Sequence, residues 1–339
     1  MTGLEGIVIG VLLAALVIYT LSGGADFGGG VWDLFAIGPR GEQQRRLIAK
    51  AIGPIWEAHH VWLIFAIVVT FVALPKAFAA ITTVLHIPIA LMLLGICLRG
   101  SSFVFRAYDS QDDDVQRRWS RVFAISSLYT PVMLGVCAGA VSSGAIRMDA
   151  GGRVVPDFLS AWLAPFPFAI GGFTLALFSL LAAVYLTVEA QDARLREDFR
   201  RRALIAAVAA AAMAYVSLVL ARQGAPHLWD VLTARDFSGA LQVTIAAVGF
   251  TLITALWIRL FHVARVMAIL LVVLVEIGWA AGHLPYLIPP DLTVSDAAAP
   301  ASVLRPMLLV LAAGSLVLVP ALAYMYLVFK APDPAGPDG

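Results

Sequence analysis

Nine stretches of the chain, near 5–24, 53–74, 77–98, 121–143, 164–188, 203–221, 238–258, 263–286 and 305–329, are apolar for about twenty residues at a time. That is the length needed to cross about 30 Å of hydrocarbon as a helix. Short polar loops separate them. The pattern predicts an all-α polytopic membrane protein of about nine transmembrane helices, forming a single transmembrane domain over 1–330 with a flexible tail at 331–339.

Two places interrupt the pattern with groups that lipid disfavours. The first apolar run leads into Gly23 to Asp33, GGADFGGGVWD, where five glycines allow either close helix packing or an irregular turn that presents Asp26 and Asp33. A basic loop follows, and then Gly53 to Phe65, GPIWEAHHVWLIF, opens the second span with Glu57, His59 and His60. Pro54 suits the first turn of a helix, where its missing N–H does no harm. The positive end of the helix dipole favours ionised Glu57, whereas desolvation beside Trp56 and Trp62 favours the neutral acid. These opposed effects make Glu57 a candidate proton-exchanging group. Helical spacing places His60 on the face of Glu57 and turns His59 about a third of a turn away. Each histidine is open to three roles: a structural hydrogen bond, a proton relay, or a haem or metal ligand. Arg99 near the end of the third span and Glu276 within the eighth complete the set of ionisable groups of interest. Glu276 is either functional or a structural contact.

Composition agrees with the pattern: 61% of residues are apolar and 13% charged, and the mean hydropathy is +0.89. The net charge of +1 is uninformative, but its distribution is not. With the N-terminus outside, 17 of the 23 Lys and Arg fall on inner loops, which predicts a periplasmic N-terminus and a cytoplasmic C-terminus. Met1 to Glu5 lacks a basic n-region, so the first run is expected to be a retained helix. Cys97 and Cys137 lie inside apolar runs and are expected to be small buried residues rather than a disulfide or metal pair.

The segment EDFRRRALIAA before the sixth span is similar to EQQRRLIAKA before the second, which suggests an internal repeat. The sixth span has no acid or histidine at the matching place, so the candidate chemistry belongs to the first half. A proton-coupled secondary transporter and a membrane haem b protein using His59, His60 or His86 both fit part of this pattern.

Taken together, GGADFGGGVWD and GPIWEAHHVWLIF, followed by LRGSSFVFR (Leu98 to Arg106), RVFAISSLYTPVMLGVCAGA (Arg121 to Ala140) and PYLIPPDLTVSDAAAP (Pro285 to Pro300), resemble the smaller core subunit, subunit II, of cytochrome bd-type quinol oxidases. The resemblance runs from the first helix to the last. It implies two four-helix bundles (1–145 and 160–287) and one peripheral helix (305–329), in a multi-pass protein of the bacterial cytoplasmic membrane. It also implies a heterodimer with a larger subunit that carries two haems b and haem d, oxidises quinol and reduces dioxygen to water. This chain would then bind no haem and no metal. A small single-helix accessory subunit and membrane lipid or quinone are further partners it allows. Residue by residue, the resemblance places Glu57 at the acid after the tryptophan of GPxW, on a cytoplasmic proton route, and Asp26 at the aspartate of the first motif. Ala58, His59 and His60 stand where some relatives have Gly-Asn-Gln. Asp33, His59, His60 and Arg99 become supporting candidates, and Glu276 matches no motif.

Overall fold

A computed structural model describes residues 3–52, 58–108, 113–149, 151–155, 157–234 and 236–330. The order is α1 (Gly3–Leu34), α2 (Gly41–Ile52), α3 (Ala58–Ala73), α4 (Pro75–Val84), α5 (His86–Tyr108), α6 (Asp113–Ser142), α7 (Pro165–Glu189), α8 (Ala193–Gly224), α9 (Pro226–Ala234), α10 (Asp236–Trp257) and α11 (Phe261–His283). A small antiparallel hairpin, β1 (Tyr286–Ile288) and β2 (Leu292–Thr293), then leads into α12 (Val294–Ala297) and α13 (Ala301–Lys330). Among the described residues, eight helices are long and apolar enough to cross a membrane, and the bent pair α3–α4 makes nine. In hydrocarbon a helix satisfies its own backbone polar groups, so long apolar runs become helices almost by default.

The structure redraws two of the sequence boundaries. The first helix does not stop near residue 24; it continues through the glycine-rich stretch to Leu34, carrying Asp26 and Asp33 within it. The third apolar run divides: α4 bends 118° away from α3 after Leu74, with Pro75 in its first turn, and α5 starts afresh at His86. Cys137 is partly buried, but Cys97 is exposed, contrary to the expectation that both are enclosed.

α1 is the centre of the bundle, packing on α3, α6, α7 and α11. Its glycines act by size. A Cβ at Gly28 would collide with the backbone carbonyl of Phe178 on α7, so only glycine permits this crossing. One buried apolar cluster joins Val69, Leu85, Met133, Val136 and Ile146 to Ile288 of the hairpin. A second joins Leu177, Leu181, Phe199, Leu252 and Val272 across α7, α8, α10 and α11. α13 lies against the others by its edges on α1 and α3 and is otherwise outward-facing.

Candidate functional site

α1 ends at Leu34, eight residues beyond Asp26, so Asp26 lies about 12 Å in from that end at 1.5 Å per residue. Arg99 stands nine residues before the end of α5, at nearly the same depth. The two meet. Arg99 Nη1 donates to Asp26 Oδ2 at 2.5 Å and Nη2 donates to Oδ1 at 2.7 Å, with a further bond from Nη2 to the Asp26 carbonyl at 3.0 Å. Arg99 Nε donates to Ser127 Oγ on α6 at 3.0 Å, and that hydroxyl donates to the Phe123 carbonyl. The guanidinium lies 4.8 Å from the ring centres of both Phe27 and Phe123. Two-point pairing with additional hydrogen bonds is the geometry in which a buried charge pair is tolerable.

The imidazole of His59, in the first turn of α3, completes the cluster. Its Nε2 lies 3.5 Å from Asp26 Oδ2 and the ring is fully enclosed. Tyr19, Phe27 and His60 surround it, with ring centres at 6.0, 5.9 and 4.0 Å. Gly23 makes room: a Cβ there would be 3.0 Å from His59 Cδ2. The histidine that reaches the acid is therefore His59, with the His60 ring tilted against it. Asp33 is buried seven residues beyond Asp26, on the same side of α1 and nearer the basic face.

Glu57 lies outside the described residues; in the chain it stands two positions before His59. Glu276 is about 22 Å from the start of α11 and well separated from the cluster in depth. It faces Thr20 of α1, and its Oε2 is buried without a hydrogen-bond partner among the described residues. His86 sits at the start of α5, at the other membrane face from Asp26, its Nδ1 2.9 Å from the Thr83 carbonyl.

The surface end of α1 is held by a polar latch that no sequence motif announces. Asp198 of α8 accepts from Arg40 Nε and Nη2 at 2.8 and 2.6 Å and from Gln44 Nε2 at 2.9 Å. Arg202, one turn further along α8, donates to Gln44 Oε1 and to the Phe35 carbonyl, and lies over the Trp32 and Phe199 rings. The two basic segments that look alike in sequence thus touch each other, fixing α2 against α8. The signal available in the sequence is that likeness alone.

Fold and site define a multi-pass helical membrane protein with a buried Asp–Arg–His cluster about a third of the way in from its basic face. The whole sequence then gives the family: residues 4–329 match the profile of the cytochrome bd terminal oxidase subunit II family, and the chain belongs to it. It is 24% identical over 335 residues to a Bacillus subtilis protein named as a cytochrome bd menaquinol oxidase subunit II, covering 95% of this chain and 94% of that one. Identity to the Escherichia coli (strain K12) cytochrome bd-I ubiquinol oxidase subunit 2 is 28% over 138 residues, covering 41% of this chain and 35% of that one. A chain in the structure of bd oxidase from Geobacillus thermodenitrificans has the same fold, with a TM-score of 0.81 at 21% identity over 98% of this chain and 100% of that one. The protein is accordingly a bd-type oxidase subunit of the bacterial cytoplasmic membrane, and family membership selects this reading over the transporter and the haem b protein.

Proposed function

We propose that this chain supports quinol oxidation and dioxygen reduction in a larger haem-bearing subunit by carrying protons inward from its basic, cytoplasmic face. In this reading Glu57 is the entry acid, His59, two positions on in the chain, the relay, and Asp26 with Arg99 the fixed polar anchor beside His59. The observation that carries it is the buried Asp26–Arg99–His59 cluster: His59 is two residues from Glu57 in sequence and 3.5 Å from Asp26.

The chemistry gives the arrangement a purpose. Reducing dioxygen to water consumes one proton per electron, and drawing those protons from the cytoplasm while quinol releases its own outside makes turnover electrogenic without a pump. Each charge moved across the membrane is worth about 2.3 kcal/mol per 100 mV. A proton carrier inside the bundle needs polar neighbours, because isolated charge is costly at that depth. Arg99 bonds both oxygens of the Asp26 carboxylate through two nitrogens, and His59 Nε2 approaches Oδ2, which it shares with Arg99. Asp33, on the same side of α1 and nearer the surface, suits an outer position on the same path.

The chain is read as binding no haem of its own; two haems b and haem d belong to the partner, and quinol is the substrate of the complex. The division into four-helix halves at 1–145 and 160–287, with the N-terminus periplasmic, is part of the same reading. The test is purification of the tagged chain in mild detergent. Co-purification of a larger subunit with haem d absorbance and quinol-dependent oxygen uptake is expected. Haem in the isolated chain, or a colourless solitary chain, contradicts it.

A further inference from the structure

A cleft of about 230 Å³ opens on the basic face between the end of α7, the start of α8 and the α10–α11 turn, lined by Thr187, Arg196, Arg259, Phe261, His262 and Val263 among others. The proton-route reading does not involve it. Arg196 is fixed in place: Nε and Nη2 donate to the Ala190 carbonyl at 3.1 and 2.7 Å, and the guanidinium lies 5.7 Å over the Phe261 ring. Arg259 occupies the turn with φ +64, a left-handed conformation normally given to glycine. An arginine kept there at a cost in backbone strain calls for a use of its side chain.

Two nearby acids are already committed. Glu197, whose Oε2 is 3.5 Å from Arg259 Nε, is gripped through both oxygens by Arg200 at 2.6 and 2.8 Å and approached by Arg201 at 3.6 Å. Asp192 accepts from the Arg194 and Leu195 N–H groups as the cap of α8. The described residues lining the cleft include two arginines and no acid, and α11 begins beside it with no side-chain cap on its first turn.

The surroundings identify the anion's carrier. Trp257, Ile258, Leu260 and Val263 are 69%, 57%, 50% and 41% exposed beside the arginines. A free phosphate has no use for an apolar rim, whereas a phospholipid does: its acyl chains cover such residues while its headgroup meets the cations. We propose that this cleft binds the phosphate headgroup of an anionic phospholipid, with Arg196 and Arg259 as its cationic contacts, His262 as a polar neighbour and the Trp257–Leu260 surface under its acyl chains.

The experiment uses the assembled oxidase complex in nanodiscs of phosphatidylglycerol or phosphatidylcholine, with bound lipid counted by native mass spectrometry. Arg259→Gly is the informative variant, since glycine suits the left-handed turn and the fold is kept while the cation is lost. Arg196→Gln is the second variant. Wild-type complex is expected to retain phosphatidylglycerol over phosphatidylcholine, and either variant to reduce retention by about fivefold, the effect of one basic side chain at an anionic surface. Inorganic phosphate at matched concentration is expected to leave the lipid bound. Equal retention by wild type and both variants, no preference between the lipids, or displacement by inorganic phosphate overturns the proposal. Haem content and oxygen uptake, recorded on the same samples, separate these outcomes from any failure of the proton-route reading.

Discussion

Arg99 grips Asp26 through both terminal guanidinium nitrogens, at 2.5 and 2.7 Å, in a site where their side chains are 3% and 1% exposed. The pair ties α5 to α1 and sets the wall against which His59 lies. Removing one partner strands the other charge in the bundle. Arg99→Gln or Asp26→Asn is expected to cost the folded subunit about 3–5 kcal/mol, seen as a lower thermal midpoint and less assembled complex. The apolar double replacement Asp26→Leu with Arg99→Met should lose less stability than either single variant, because no charge is left unpaired.

Gly28 holds α1 against α7 at a separation that admits no side chain, the obstacle being the Phe178 backbone carbonyl rather than a movable group. Gly28→Ala is expected to destabilise the bundle by at least about 1–3 kcal/mol, the usual cost of overpacking. A thermal midpoint equal to that of the parent would contradict so tight a crossing.

The latch between α2 and α8 predicts a graded response. Asp198→Asn gives up an ion pair whose arginine is 43% exposed and screened by solvent, so the loss should be small. Arg202→Met removes hydrogen bonds to both Gln44 and the Phe35 carbonyl and should loosen α2 further. Amide hydrogen exchange over 41–52 measures both, with faster exchange expected in the order Arg202→Met, Asp198→Asn, parent.

On the opposite face, Asp291 ties the 147–155 loop to the β hairpin. Burial pushes its carboxyl up, but the Arg147 hydrogen bond at 2.8 Å, the Met148 N–H at 2.9 Å and the Arg147 charge outweigh this and leave it below the ordinary carboxylate value. A lowered folded value means the stabilisation is complete above about pH 4 and disappears as pH falls through the folded value. The protection factors of amides in 147–155, which correct for the pH dependence of intrinsic exchange, should be high at neutral pH and fall below about pH 4. Asp291→Asn should remove that dependence.

The apolar runs make the spans legible, because in lipid length and hydrophobicity nearly determine a helix. The motif acids are legible too: Asp26 and Glu57 stand out against apolar neighbours. Other features depend on contacts that single-chain spacing cannot express. His59 rather than His60 faces Asp26 because the rotation of α3 about its axis is set by packing on α1, and Gly23 is what admits the ring. Arg99 finds Asp26 across 73 residues, and no local pattern announces that pairing. The continuation of α1 to Leu34 follows from neighbouring helices filling the space beside its glycines, although glycine alone disfavours a helix. Cys97 departs from the enclosed position expected of it because a lipid-facing site and a core site look the same in an apolar run.

Proton entry through Glu57, two positions before His59 in the chain, is the central claim. It is tested most directly by quinol-dependent oxygen uptake of the Glu57→Gln complex, compared with the parent at equal haem content. A fall of about tenfold or more is predicted, the low end of what a positioned proton-transfer group contributes. Undiminished turnover at full haem content would contradict it.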